Sequence, residues 1–165
     1  MQTPQTLQIW IAAAIVVLDQ ATKALIRSRL DLHESVAVIP GFFDLTRVHN
    51  TGAAYGFMDA VDFPYKPAVF AVIAIVALTG LVFYSASLDA SQRLTRLGMS
   101  LVIGGAAGNL IDRVTAGYVL DFVDVYWGTW HFWAFNVADS AISLGVVLMI
   151  LDLLGLGRVR VSRTV

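Results

Sequence analysis

Residues 67–88 read PAVFAVIAIVALTGLVFYSASL, bounded by Lys66 and Asp89 with no charge between them. A helix that crosses a bilayer core of about 30 Å needs about 20 largely apolar residues, so this stretch reads as a membrane span. The rest of the chain agrees. Of its 165 residues 58% are hydrophobic and only 14% charged, against about a quarter charged in a soluble domain, and mean hydropathy is +0.73. Eleven Lys and Arg against twelve Asp and Glu leave a net charge of -1, so no polyanion-binding surface and no nucleic-acid partner are expected. Without cysteine the chain has no disulfide framework, thiolate nucleophile or cysteine metal site.

Working outward, three more segments carry the same signal: about 7–26, with IWIAAAIVVL followed by DQATKALI; about 94–113, with LGMSLVIGGAAGNLI; and about 136–154. The first is expected to be retained. Its leading MQTPQTLQ lacks Lys and Arg, and its apolar run meets Asp19, Gln20 and Lys23 where a cleavable signal would offer small residues. In the third, Gly104 and Gly108 stand at the spacing that lets helix backbones approach closely in a bilayer.

The stretch 27–66 is polar, with strand candidates at Val36–Ile39 and Phe42–Val48 and turn signals at Pro40-Gly41 and Asn50-Thr51-Gly52. The stretch 114–135 carries Tyr118, Tyr126, Trp127, Trp130, Phe132 and Trp133, an aromatic set suited to the headgroup level. The expected fold is one mainly α membrane domain over residues 1–165, with four transmembrane helices and a small extramembrane β-sheet. Four spans put both termini on one side and both long stretches on the other. The count of cations near span ends favours cytoplasmic termini only by a narrow margin.

Charges inside spans cost about 2.5–3.5 kcal/mol each at the helix centre on insertion scales, so each calls for a partner or a function. Asp19 and Lys23 are four apart with the acid first, the favourable order for a helical ion pair. Asn109 and Arg113 share a face at the end of the third span, beside Asp112. Asp139 opens the fourth span, and Asp121 stands in the stretch before it. With four spans, these groups gather toward one membrane face. Two converging carboxylates fit a water-activating pair, in which one is ionised and the other holds a proton. They fit equally a carboxylate relay in a small proton-coupled transporter or channel, and Asp139 alone also suits a helix N-terminus electrostatically. His33, His49 and His131 show no metal-ligand spacing, and neither a nucleophile elbow nor a phosphate-binding loop occurs; no metal site and no cofactor are expected.

Five strings in order carry a further signal: DQATK at 19–23, NTGAAYGF at 50–57, GGAAGNLIDR at 104–113, VLDF at 119–122 and FNVADS at 135–140. Together they resemble the lipoprotein signal peptidase (signal peptidase II) family of bacterial membrane aspartyl proteases, nearly end to end. The resemblance implies four transmembrane helices in the cytoplasmic (inner) membrane, cytoplasmic termini, and an extracytoplasmic sheet that cradles substrate near the active site. It implies catalysis by Asp121 and Asp139, with Asn50, Gly52, Ala53, Asn109, Arg113 and Asn136 lining the site and Asp19 with Lys23 supporting it. The implied substrate is a prolipoprotein whose cysteine carries diacylglycerol, cut on the N-terminal side of that cysteine. Membrane lipid is the other expected partner, and a monomer the expected state.

Overall fold

The computed structural model describes residues 4–52 and 63–156. Four helices and a four-stranded sheet follow in the order α1 (Pro4–Arg29), β1 (Ser35–Ile39), β2 (Phe43–Asn50), α2 (Lys66–Ser87), α3 (Arg93–Ala116), β3 (Val119–Trp127), β4 (Trp130–His131) and α4 (Val137–Leu153). By length and apolar composition α1, α2 and α3 can each cross a membrane. At 17 residues, α4 is about 25 Å long. It lies antiparallel against α3 from Thr95 beside Asp152 to Asn109 beside Asp139.

The bundle is built around α3, which packs on all three other helices. Glycine makes this possible. A Cβ on Gly98 would come within 2.5 Å of the Gly145 carbonyl oxygen, one on Gly104 within 2.8 Å of the Ala12 carbonyl oxygen, and one on Gly105 would collide with the Ala138 carbonyl oxygen. Within GGAAG, Gly104 thus makes the close backbone contact its spacing suggests and Gly105 makes another, whereas Gly108 meets the Asp19 side chain. In contrast, α2 buries only Lys66. Val72, Val76 and Phe83 are largely exposed, and such residues on a spanning helix face lipid.

The helix ends are set locally. The Asn136 side chain accepts the Asp139 N–H while the Asp139 side chain accepts the Asn136 N–H, a capping box that starts α4. Gly117, with φ of 81°, closes α3 by donating its N–H to the Arg113 carbonyl, a left-handed position natural to glycine. Arg47 Nη1 donates to the carbonyls of Arg27 and Leu30, joining the end of α1 to β2.

The sheet is antiparallel, ordered β1-β2-β3-β4. Its first two strands fall where the sequence places them, displaced by one or two residues at the ends. The aromatic stretch 114–135 differs from expectation: instead of only lying along the membrane surface, it supplies β3, the strand that pairs with β2. The reason is an interrupted alternation. Leu120 and Phe122 are buried with Ile26 and Leu30, and the next residue, Val123, packs on the same cluster. The N–H groups of Phe122 and Val123 both donate to the Phe135 carbonyl, at 3.0 and 2.8 Å, an irregularity that bends a strand and hides its two-residue period.

Candidate active site

A cavity of about 590 Å³ opens between α2, α3, α4 and the sheet. Phe70, Ile73, Ala74 and Ala77 of α2, Ala106 of α3 and Ile142 of α4 give it apolar walls, and Phe132 to Phe135 close one side. Its polar lining is concentrated in Asn50, Asn109, Arg113, Asp121, Asp139, Ser140 and Ser143.

The two carboxylates arrive from different elements. Asp121 sits on β3 between the core residues Leu120 and Phe122, so the alternation of the strand turns it away from the core and into the cavity. Asp139 occupies the first turn of α4, held there by the capping box. Asn136 touches both: its Nδ2 donates to Asp121 Oδ1 at 2.7 Å, and its backbone N–H donates to Asp139 Oδ2 at 3.2 Å. Asn50 Nδ2 donates to Asp121 Oδ2 at 3.1 Å, and Asn109 Nδ2 to Asp139 Oδ1 at 2.8 Å. Each of the four carboxyl oxygens thus faces one N–H. Burial pushes the Asp121 carboxyl up from 3.8 to about 7, with the nearby Asp139 charge adding to the rise and the donors from Asn50 and Asn136 opposing it.

Beneath this pair lies a buried charge cluster. Lys23 Nζ is fully enclosed, 2.8 Å from Asp19 Oδ2, 2.9 Å from Asp112 Oδ2 and 2.9 Å from Asn109 Oδ1. Arg27 completes it at 2.8 Å from Asp112 Oδ1, so two acids meet two bases. An unpaired buried ion would cost several kcal/mol. Asp19 also accepts the Ala138 N–H at 3.0 Å, tying α1 to the start of α4. Gly108 is what lets Asp19 in: a Cβ there would stand 2.6 Å from its Oδ2.

All the expected site residues that the structure describes meet here. Arg113 reaches across to donate to the Gly52 carbonyl at 3.2 Å, and Gly52 N–H donates to Asn50 Oδ1 at 3.0 Å. Ala53 lies outside the described residues. Among the described residues no three His, Asp or Glu side chains gather as metal ligands. The sequence reading passed over Gln20, whose Nε2 reaches Asp19 Oδ2 and the Gly108 carbonyl at 3.1 Å each. Its signal was its place inside DQATK. The α2 wall had no signal, because one apolar residue in that run looks like the next.

Comparison with known proteins shows the family of the chain. Residues 11–155 match the family described as signal peptidase (SPase) II. The lipoprotein signal peptidase of Geobacter metallireducens is 45% identical over 144 residues, covering 87% of this chain and 88% of the relative. That of Pseudomonas aeruginosa is 41% identical over 146 residues, covering 88% and 86%. A bacterial membrane enzyme solved by the in meso method at 2.3 Å resolution superposes with a TM-score of 0.78 at 34% identity, covering 96% of this chain and 93% of that one. With the family match spanning most of the sequence and full-length relatives above 40% identity, the chain belongs to the signal peptidase II family of membrane peptidases.

Proposed function

We propose that this chain is an aspartyl endopeptidase that removes signal peptides from prolipoproteins bearing diacylglycerol on a cysteine, cutting on the N-terminal side of that cysteine. The observation that carries the reading is the convergence of Asp121 and Asp139 on one largely apolar cavity, with Asn136 bonded to both. One carboxylate takes a proton from water as the oxygen attacks the scissile carbonyl. The partner, protonated, gives its proton to the leaving amine as the tetrahedral adduct breaks. Both acids come from one chain, so a monomer suffices.

Its setting supports the same reading. A diacylated substrate stays in the bilayer because each buried CH₂ is worth about 0.8 kcal/mol, and α2 borders the cavity on one side while presenting apolar residues to lipid on others. In this reading the protein sits in the bacterial inner membrane with both termini cytoplasmic and the site near the extracytoplasmic face. Arg93 and Arg96, in the first turn of α3 at the end away from the site, suit the cytoplasmic side. Asp19, Asp112, Asp121 and Asp139 gather at one end of the bundle, which suits hydrolysis better than a relay spread across the membrane.

The test is cleavage by purified protein in lipid vesicles. A precursor with diacylglycerol on its cysteine is expected to be cut at that cysteine, and the same precursor without lipid at least about 100-fold more slowly, since it forgoes acyl-chain burial. Equal turnover of the two would overturn the substrate assignment.

A further inference from the structure

Three asparagines supply side-chain N–H groups to the two carboxylates, and a carboxamide serves as a donor only if it is turned the right way. In each case a third group fixes the turn. Asn50 Oδ1 accepts the Gly52 N–H at 3.0 Å, and Asn136 Oδ1 accepts the Asp139 N–H at 2.9 Å. Asn109 Oδ1 accepts from Lys23 Nζ at 2.9 Å. An ammonium can only donate, so the Asn109 oxygen must face Lys23 and its NH₂ must face Asp139. Two of the three fixing groups are backbone amides. Lys23 is the one that a substitution can remove.

We propose that Lys23 is a positioning residue of the reaction: by holding the Asn109 oxygen it keeps that amide's N–H on Asp139, leaving Asp139 the ionised, water-activating acid and Asp121 the holder of the proton. The inference rests on the dyad reading above. Asp139 is faced by Lys23 and Asp19 from α1, by Arg113 from α3 and by Asp121 from β3; the α2 residues of the cavity wall carry no charge. Asp139 also stands in the first turn of a helix, where negative charge is favoured, whereas Asp121 is on a strand and 3% exposed. Asn136 Nδ2 makes a second approach to Asn109 Oδ1 at 3.2 Å, but it also approaches Asp121 Oδ1 and the Leu120 carbonyl. With two hydrogens for three acceptors it cannot hold Asn109 alone.

The experiment is a double-mutant cycle in which the pH dependence of kcat is measured for lipidated precursor. Lys23→Met is expected to move the acidic limb to higher pH by about one unit, the size of one hydrogen bond to a charged group, with KM changed less than twofold. Asn109→Ala is expected to do the same. Because Lys23 acts through Asn109, adding Lys23→Met to Asn109→Ala should give no further shift. Arg27→Gln is the control: it removes a cation from the same cluster, touches Asp112 and not Asn109, and should leave the limb in place. If Lys23→Met does not fold, the cycle is run on Asp112→Asn, where losing the cation leaves the cluster neutral. An unmoved limb, additive shifts, or an equal shift in Arg27→Gln would overturn the proposal. Failure of the dyad reading looks different, because Asp121→Asn or Asp139→Asn would then keep cleaving.

Discussion

The bundle holds a polar cluster at each end, and the two are built on opposite plans. At the end where α1 begins and α4 finishes, the buried Arg96 donates to the Leu88 carbonyl at 2.8 Å and to Gln8 Oε1 at 2.6 Å. Gln8 Nε2 turns to Ser85 Oγ and the Arg96 carbonyl, and Asp152 accepts the hydroxyl and the N–H of Thr95. Donor meets acceptor at each of these contacts, and the cluster ties α1, α2, α3 and α4 together. At the other end, the Lys23 cluster is just as closed, but above it two carboxyl groups share the edge of a cavity, where each makes ionisation of the other costlier. The lesson is that burial and hydrogen bonding do not by themselves mark a site in a membrane bundle. What marks it is an unfavourable juxtaposition that the surroundings maintain.

The largest effect expected from that contrast is at the carboxylates. Asp121→Asn and Asp139→Asn keep size and one acceptor oxygen but remove the proton chemistry, so each should lower kcat at least about 1,000-fold, within the usual range for general acid or base loss. Thermal unfolding should change little. Near-normal cleavage by either variant would erase the distinction between the two ends.

A pH titration sharpens it. The proton on Asp121 is held up to about 7, so cleavage should decline about tenfold per unit above that pH as the dyad loses its shared proton. Stability moves in the same direction. Between 3.8 and about 7 the folded chain keeps a proton that the unfolded chain gives up, so this carboxyl's contribution is fully present below about 4 and is lost as pH rises to 7. Chemical unfolding in detergent at pH 4.5 and pH 8 would measure it, and in Asp121→Asn that part of the dependence should vanish.

At the opposite end the prediction reverses. Arg96→Met should cost about 2 kcal/mol of stability, because the carbonyl of Leu88 and the oxygen of Gln8 lose a charged donor. The kcat of the molecules that remain folded should be unchanged. The smallest effect belongs to Asp124, on the same strand as Asp121 but paired with His131 at 2.9 Å. Asp124→Asn should alter kcat less than twofold.

How much of this was legible in the sequence follows the range of the forces involved. The spans come from apolar runs, which are properties of consecutive residues. The Asp19 and Lys23 pair is legible because it lies within one helical turn, and the place of Asp139 at a helix N-terminus is equally local, although its capping box with Asn136 was not read. The placement of Asp121 opposite Asp139 came through resemblance, since nothing in VLDF alone points across to α4. Strand β3 was missed because Phe122 and Val123 both serve the core. The orientation of the Asn109 carboxamide and the closure of Gln8 on Arg96 depend on residues 86 and 88 positions apart, and local pattern holds no record of them.

The ion pair between Asp19 and Lys23 has a consequence for how the protein is made. Because its partners are four residues apart on α1, they can neutralise each other as soon as that helix winds, before any other helix has emerged from the ribosome. At the level of that pair the translocon handles a dipole in place of two ions. Asp112, on α3, meets Lys23 and Arg27 only when α3 docks on α1. Assembly of the site is thereby the docking of one acid onto an ion pair that α1 can close by itself.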